Sequence, residues 1–187
     1  SENNDPNGTI TLTRFNLLMN ERKFTEAVAM LERSPAERSR GETSAPISKE
    51  FLLATAYRQM NDEPNARANY EIAREKAEAA VRDNPNDSPR HALLGLIYAG
   101  LGRCDEAKQT ADRAVELLPE TRDAFDGPLM AISRARIYMM CGDHATALAA
   151  LEHSLQTPAG ITLSELRFDP VWDPLRNEPR FEKMVAP

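Results

Sequence analysis

The fold is decided by residues 88–119, which read SPRHALLGLIYAGLGRCDEAKQTADRAVELLP. Apolar residues recur at helical spacing in Leu94, Ile97 and Leu101, and this spacing predicts an amphipathic helix. Ser88 is followed by a proline, which is typical of a helix start with serine as the N-cap and proline as the first helical residue. A first helix is therefore predicted from Ser88 to Leu101.

A second helix is predicted after a turn at Gly102. Glycine readily takes the left-handed backbone conformation that ends a helix, and the next helix is expected to stop at Pro119. Small side chains on one face of this helix allow a neighbouring helix to approach closely. These small residues are Ala107, Ala111 and Ala114. Residues 88–119 thus predict two packed helices joined by a short turn.

The same pattern recurs four times along the chain, in three sets of equivalent positions that each advance by 39, 41 and 40 residues. The large apolar or aromatic positions are Leu18, Tyr57, Tyr98 and Tyr138. The small positions are Ala27, Ala66, Ala107 and Ala147. The turn positions are Arg22, Asn61, Gly102 and Gly142. Because the three sets agree in their steps, we expect an array of helix pairs.

The array is predicted to cover residues 11–158. Its helix pairs are expected at residues 11–35, 47–84, 88–119 and 128–157. Residues 1–10 are predicted to be a flexible leader, and residues 34–48, rich in Ser, Pro, Arg and Glu, a solvated loop. Residues 159–187 are predicted to be a C-terminal capping segment. No segment alternates with the period of a strand, so the expected class is all-α.

The central unit resembles the tetratricopeptide repeat, because it has that family's large, small, aromatic and proline residues in the same order and spacing. The residues that carry the resemblance are Leu94, Gly95, Tyr98, Gly102, Ala107, Ala114 and Pro119. The other units keep parts of the pattern. The resemblance implies a right-handed superhelical stack of helix-turn-helix repeats that binds other proteins.

The tail resembles the ending of bacterial tetratricopeptide arrays attached to transcriptional regulators, serine/threonine kinases or cyclases. It contains LRFDP at residues 166–170, WDPLR at 172–176 and PRF at 179–181. Asp169 and Asp173 each precede a proline and are predicted to cap short helices. The apolar residues expected to cover the last repeat are Leu163, Leu166, Trp172, Leu175, Phe181 and Met184.

Composition excludes several classes of protein. The 187 residues allow one ordinary domain or a short array, and 41% hydrophobic with 28% charged residues is typical of a folded chain. The formal net charge of −6 argues against direct binding of nucleic acid. No apolar run is long enough to cross a bilayer. Because the sequence begins at Ser1 and not at Met, we expect a fragment or a processed form of a longer protein.

No catalytic constellation, metal site or cofactor is predicted. The histidines His91, His144 and His153 are not spaced with Cys or carboxylates as metal ligands are, and no glycine-rich loop follows a strand. The two cysteines are too few for a disulfide scaffold. Spacing alone leaves open a single bridge between Cys104 and Cys141, or a reactive Cys104 at the start of a helix.

The resemblance places a concave groove along the first helices of successive units. The residues predicted to bind a partner there, called the groove set below, are Phe51, Thr55, Arg58, Gln59, Leu96, Ile132, Arg136, Met139 and Met140. A floor of small residues with Met and Phe at its edges suits an apolar or helical peptide. Arg58 and Arg136 are able to pair with acidic groups on such a ligand.

The sequence therefore predicts a non-catalytic interaction module, a scaffold or sensor that binds a protein or peptide within a larger bacterial regulatory protein. One alternative is a homo-oligomerisation element of a signalling protein. A remote alternative is an enzyme. The expected location is the cytoplasm, or the periplasm if a membrane-spanning segment precedes this chain.

Overall fold

A computed structural model describes Asp5 and residues 7–40 and 45–186. The structure is 71% helical, which confirms the predicted all-α class. The chain divides into two compact units, residues 1–79 and 80–187.

In its described residues, the first unit contains three complete helices and most of a fourth. They are α1 Thr9–Asn20, α2 Phe24–Arg33, α3 Lys49–Gln59 and α4 Glu63–Asp83, which runs into the second unit. Asp5 lies inside the predicted leader and accepts hydrogen bonds from the backbone N–H groups of Ile10 (3.1 Å) and Thr11 (2.7 Å) at the start of α1. The remaining leader positions 1–4 and 6 lie outside the described residues.

The predicted solvated loop over residues 34–48 contains a short strand in each of its described parts. Two short strands, β1 Arg38–Arg40 and β2 Pro46–Ser48, pair antiparallel with Ser39 opposite Ile47. Each strand has only three residues, too few to show the alternation from which a strand is predicted. Residues 41–44 lie outside the described part of the chain.

The second unit, described up to residue 186, contains two complete helix pairs and three short helices. The pairs are α5 Ser88–Gly100 with α6 Cys104–Leu117, and α7 Gly127–Met140 with α8 His144–Ser154. They are followed by α9 Leu163–Phe168, a 3-10 helix Pro170–Leu175, and α10 Pro179–Val185. Helix α7 packs against both α5 and α6, so the two pairs share a continuous core.

The cap of α5 differs by one residue from the prediction. Helix α5 begins at Ser88, and the N-cap is Asp87, whose carboxylate accepts a hydrogen bond from the Arg90 backbone N–H at 3.1 Å. The Ser88 hydroxyl instead donates to the carbonyl of Ala114 at 2.7 Å. The serine therefore joins α5 to α6, and the aspartate before it caps the N-terminus of α5.

The predicted small positions are confirmed as sites of close helix packing. Ala27, Ala107 and Ala147 are fully buried, and Ala66 is 2% exposed. A larger side chain at such a buried position would overpack the contact between the helices and lower stability. The alanine ladder thus records where the paired helices approach each other.

The predicted turn positions are confirmed by their backbone conformation. The φ angles are +59° at Arg22, +56° at Asn61, +74° at Gly102 and +79° at Gly142. In each turn the following N–H donates to the carbonyl of the large apolar or aromatic position five residues earlier, as from Arg103 to Tyr98 at 2.9 Å. This hydrogen bond and the left-handed residue define a Schellman motif. The motif fixes the distance between the large position and the turn position, so both sets advance along the chain by the same steps.

Arg22→Gly is expected to raise the free energy of unfolding by roughly 0.5 to 1 kcal/mol, because glycine relieves the left-handed strain at some cost in chain entropy. Urea denaturation followed by circular dichroism measures the change. The matched control is Gly102→Ala, which is expected to lower stability by about 1 kcal/mol although its Cβ would meet no atom within 4 Å. A loss of stability in Arg22→Gly would show that its side-chain contacts outweigh the strain.

The C-terminal segment buries most of the apolar residues predicted to cover the last repeat. Leu166, Trp172 and Leu175 are fully buried and Phe181 is 1% exposed, in a cluster with residues of α7 and α8. Met184 packs at its edge. The expectation for Leu163 is wrong, since this side chain is 42% exposed and six-residue α9 buries only Leu166.

Candidate partner-binding surface

In the first unit, the groove set lies on α3 and contacts α4. The rings of Phe51 and Tyr70 meet edge to face with centroids 6.2 Å apart. Burial raises the pKa of the Tyr70 phenol, and the nearby Arg58 guanidinium and Thr55 hydroxyl oppose that shift. Phe51, Thr55, Arg58 and Gln59 are all half-buried. These four side chains therefore pack at the edge of the unit and still present surface to solvent.

In the second unit, Leu96 lies on the side of α5 that packs against α7. It is half-buried beside a cluster that contains Ala99 and Ile137. Met140 is also half-buried and packs at the edges of this cluster and of the C-terminal cluster. These two side chains are the members of the groove set in the second unit that combine apolar character with partial exposure.

Ile132 and Met139 lie inside the core that the C-terminal segment completes. Ile132 is 9% exposed and Met139 is 3% exposed, and both belong to the cluster that contains Trp172, Leu175 and Phe181. The chain's own tail thus occupies this stripe of α7. Ile132 and Met139 shape the surface from below and offer little of their own area to a ligand.

Arg136 is held by the tail on two sides. Its guanidinium nitrogen Nη2 lies 3.0 Å from Asp169 Oδ2, and its Cζ lies 5.4 Å from the centroid of the Trp172 ring. Among the described residues, Arg136 Nε and Trp172 Nε1 are buried without a hydrogen-bond partner. A charge-assisted bond and a cation–π contact therefore join α7 to the segment that follows α9.

Sequence reasoning identified one of the two roles of Asp169. As predicted, this residue caps a short helix, since its carboxylate accepts from the Val171 backbone N–H at 3.0 Å. Its ion pair with Arg136 spans 33 residues and was not foreseen. Within the tail the only signal was an acidic residue close to a tryptophan, which does not reveal the distant arginine.

The histidines make local polar contacts. His91 Nε2 lies 2.9 Å from the Pro85 carbonyl oxygen, His144 Nδ1 lies 3.0 Å from Glu178, and His153 Nε2 lies 2.9 Å from Glu120. Among the residues that the structure describes, no group of three or more His, Cys, Asp or Glu side chains is arranged to hold a metal ion.

Cys104 and Cys141 form a disulfide between the two helix pairs of the second unit, with their Cα atoms 5.5 Å apart. Cys104 is the first residue of α6, and Cys141 is the C-cap of α7. Of the alternatives left open by the sequence, the structure shows the bridge. The repeat pattern contained a signal for this bridge, because each cysteine lies within two residues of a turn position and the two turns belong to successive units.

The paired helices, alanine contacts and Schellman turns define a helical-repeat protein. Residues 89–121 match the family model described as tetratricopeptide repeat, which supports one such repeat at the α5–α6 pair. No curated protein and no solved structure shows significant similarity to it. In the described part of the chain, no helix is long and apolar enough to cross a bilayer.

Proposed function

We propose that this chain is a non-catalytic interaction module that binds a partner protein or peptide along the first helices of its repeats. The match at residues 89–121 carries the proposal, because tetratricopeptide repeats generally mediate protein–protein interaction. The family is typically a scaffold without catalytic activity.

The half-buried part of the groove set supports the proposal in each unit separately. On α3, Phe51 offers an aromatic edge and Arg58 a cation, with Gln59 beside it. On α5 and α7, Leu96 and Met140 offer apolar surface. Apolar anchors with a nearby cation suit an amphipathic peptide that carries an acidic group. Arg136, Ile132 and Met139 act as support for this surface.

Arg58→Ala is expected to weaken partner binding by roughly 1 to 3 kcal/mol, the range for a charge-assisted contact. Photo-cross-linking from position 59 in the cell of origin identifies the partner, and isothermal titration calorimetry with the purified partner measures affinity. A denaturation curve of each variant separates a loss of binding from a loss of folding.

The matched control is Arg113→Ala on α6. Arg113 is an exposed arginine in an ion pair of 3.3 Å with Glu116, one turn along the same helix. Its replacement is expected to change affinity by no more than about 0.5 kcal/mol. Binding that survives Arg58→Ala and is lost with Arg113→Ala would assign the partner to a different surface.

We further propose that the module is a scaffold or sensor within a larger bacterial regulatory protein. The support is the likeness of its tail to the endings of bacterial arrays of that kind. The cytoplasm and the periplasm are both proposals for its location, and the Cys104–Cys141 disulfide favours the periplasm, because disulfides persist in oxidising compartments.

Self-association is the second candidate function, and exposed apolar residues on α1 favour it. Ile10 is 54% exposed and Leu17 is 57% exposed, and the two lie two helical turns apart on one side of the helix. Sedimentation velocity of the chain and of Leu17→Glu tests this candidate. A dimer that dissociates in the variant would support it, whereas a monomer at all concentrations would exclude it.

A further inference from the structure

The disulfide joins two helix ends of opposite polarity. Cys104 is the first residue of the 14-residue helix α6, so its sulfur lies at the positive end of the helix dipole. Cys141 is the C-cap of the 14-residue helix α7, so its sulfur lies at the negative end of the helix dipole. The two sulfur atoms are therefore chemically different although they share one bond.

Charged side chains near the two cysteines largely offset one another. Lys108 Nζ lies 3.8 Å from Asp143 Oδ2, and Asp143 follows Cys141 by two residues. Asp105 and Glu106 lie in the first turn of α6, next to Cys104. The difference between the two thiols therefore rests on the helix ends, which make a thiolate more stable at Cys104 than at Cys141.

Contacts besides the disulfide hold the two cysteines close together. Lys108 Nζ lies 3.8 Å from Asp143 Oδ2 and 5.2 Å from the centroid of the Tyr138 ring. Ala107 and Ala111 of α6 pack in one cluster with Ile137 of α7, and Cys141 lies against that cluster. These contacts do not involve the sulfur–sulfur bond, so the reduced chain keeps both thiols in position to react with each other.

We propose that Cys104 and Cys141 are a modification site for thiol–disulfide exchange, in which Cys104 attacks the disulfide of an oxidant and Cys141 then closes the intramolecular bond. The oxidant is a disulfide donor of the dithiol oxidoreductase class, or a small disulfide such as oxidised glutathione. This inference does not depend on the proposed partner binding.

The exchange balances in two steps. The Cys104 thiol loses its proton to solvent, and its thiolate forms a bond to one sulfur of the oxidant while the other sulfur leaves as a thiolate. The Cys141 thiolate then attacks Cys104 Sγ, and the second sulfur of the oxidant leaves. Both cysteines are oxidised by one electron each, the oxidant is reduced by two electrons to two thiols, and two protons pass from the cysteines to those thiols.

The test compares the two thiols one at a time in the reduced 187-residue chain. Cys141→Ser retains Cys104, and Cys104→Ser retains Cys141. Each variant is mixed with oxidised glutathione at neutral pH, quenched with N-ethylmaleimide, and resolved by intact mass. Opposed helix ends predict that Cys104 forms the mixed disulfide roughly twofold to fivefold faster, since greater thiolate population is partly offset by weaker nucleophilicity.

Two controls make the comparison specific to the fold. In urea the two variants are expected to react at equal rates, because the helix dipoles are lost. The reduced wild-type chain is expected to lose two hydrogens and to retain no glutathione, because Cys141 resolves the mixed disulfide. If a single variant fails to fold by circular dichroism, competitive alkylation of both thiols in the reduced wild type, read by peptide mass, provides the same comparison.

Equal rates, or faster reaction at Cys141, would overturn the assigned order of attack. A wild-type chain that stays reduced or forms only disulfides between molecules would overturn the modification site itself. Acid quenching and alkylation of the chain in its native cells is expected to find the bond already formed. Recovery of two free thiols there would show that the chain does not meet a disulfide donor.

Discussion

Trp172→Ala is expected to lower the free energy of unfolding of the second unit by about 3 to 5 kcal/mol, the range for removing a large aromatic side chain from a core. The Trp172 ring is fully buried. It also lies beneath the Arg136 guanidinium, so the variant leaves both a cavity and a half-buried cation without its aromatic neighbour. Because this is the single tryptophan of the chain, unfolding in urea is followed by circular dichroism instead of fluorescence.

Phe168→Ala is the matched control for Trp172→Ala. Phe168 is an aromatic residue in the same tail, four positions earlier, and it is 61% exposed. Its replacement is expected to change stability by no more than about 0.5 kcal/mol. If the two variants lose equal stability, the tail does not complete the core of the second unit, and the buried cluster has to be reassigned.

Local rules account for the parts of the fold that the sequence predicted. The left-handed turns at Gly102 and Gly142 depend on residues within one Schellman motif, and so do their partners Tyr98 and Tyr138. The alanine positions recur because each repeat meets its neighbour in the same way. The turn positions and the alanine positions both depend on residues that are close in the sequence, so the repeat pattern is sufficient to locate them.

The groove set shows where such rules stop. Ile132 and Met139 occupy the same stripe of α7 that Ala92 and Ala99 occupy on α5, and in both helices the stripe is covered by the element that follows in the stack. The sequence of a helix indicates which of its sides is apolar, but it does not indicate which part of the chain packs against that side. Contacts such as Arg136 with Asp169, 33 residues apart, depend on the tertiary path of the tail.

Gly160→Ala is expected to lower the free energy of unfolding of the second unit by about 3 kcal/mol, at the upper end of the usual cost of overpacking. A Cβ at this position would overlap the Ser154 carbonyl oxygen and lie 2.7 Å from the Ser154 carbonyl carbon. The loop after α8 thus passes directly against the end of the helix, and glycine is the residue that permits this approach.

A shift of Ser154 away from a new Cβ would cost free energy, because both of its oxygen atoms accept hydrogen bonds from the loop. Its carbonyl accepts the Thr157 N–H at 3.1 Å, and its hydroxyl accepts the Ile161 N–H at 2.9 Å. The control is Gly142→Ala, where φ is +79° and the Cβ would meet no atom within 4 Å, so only left-handed strain of about 1 kcal/mol is expected. Urea denaturation of both variants separates backbone overlap from strain, and an equal loss in the two would mean that the loop relaxes away from α8.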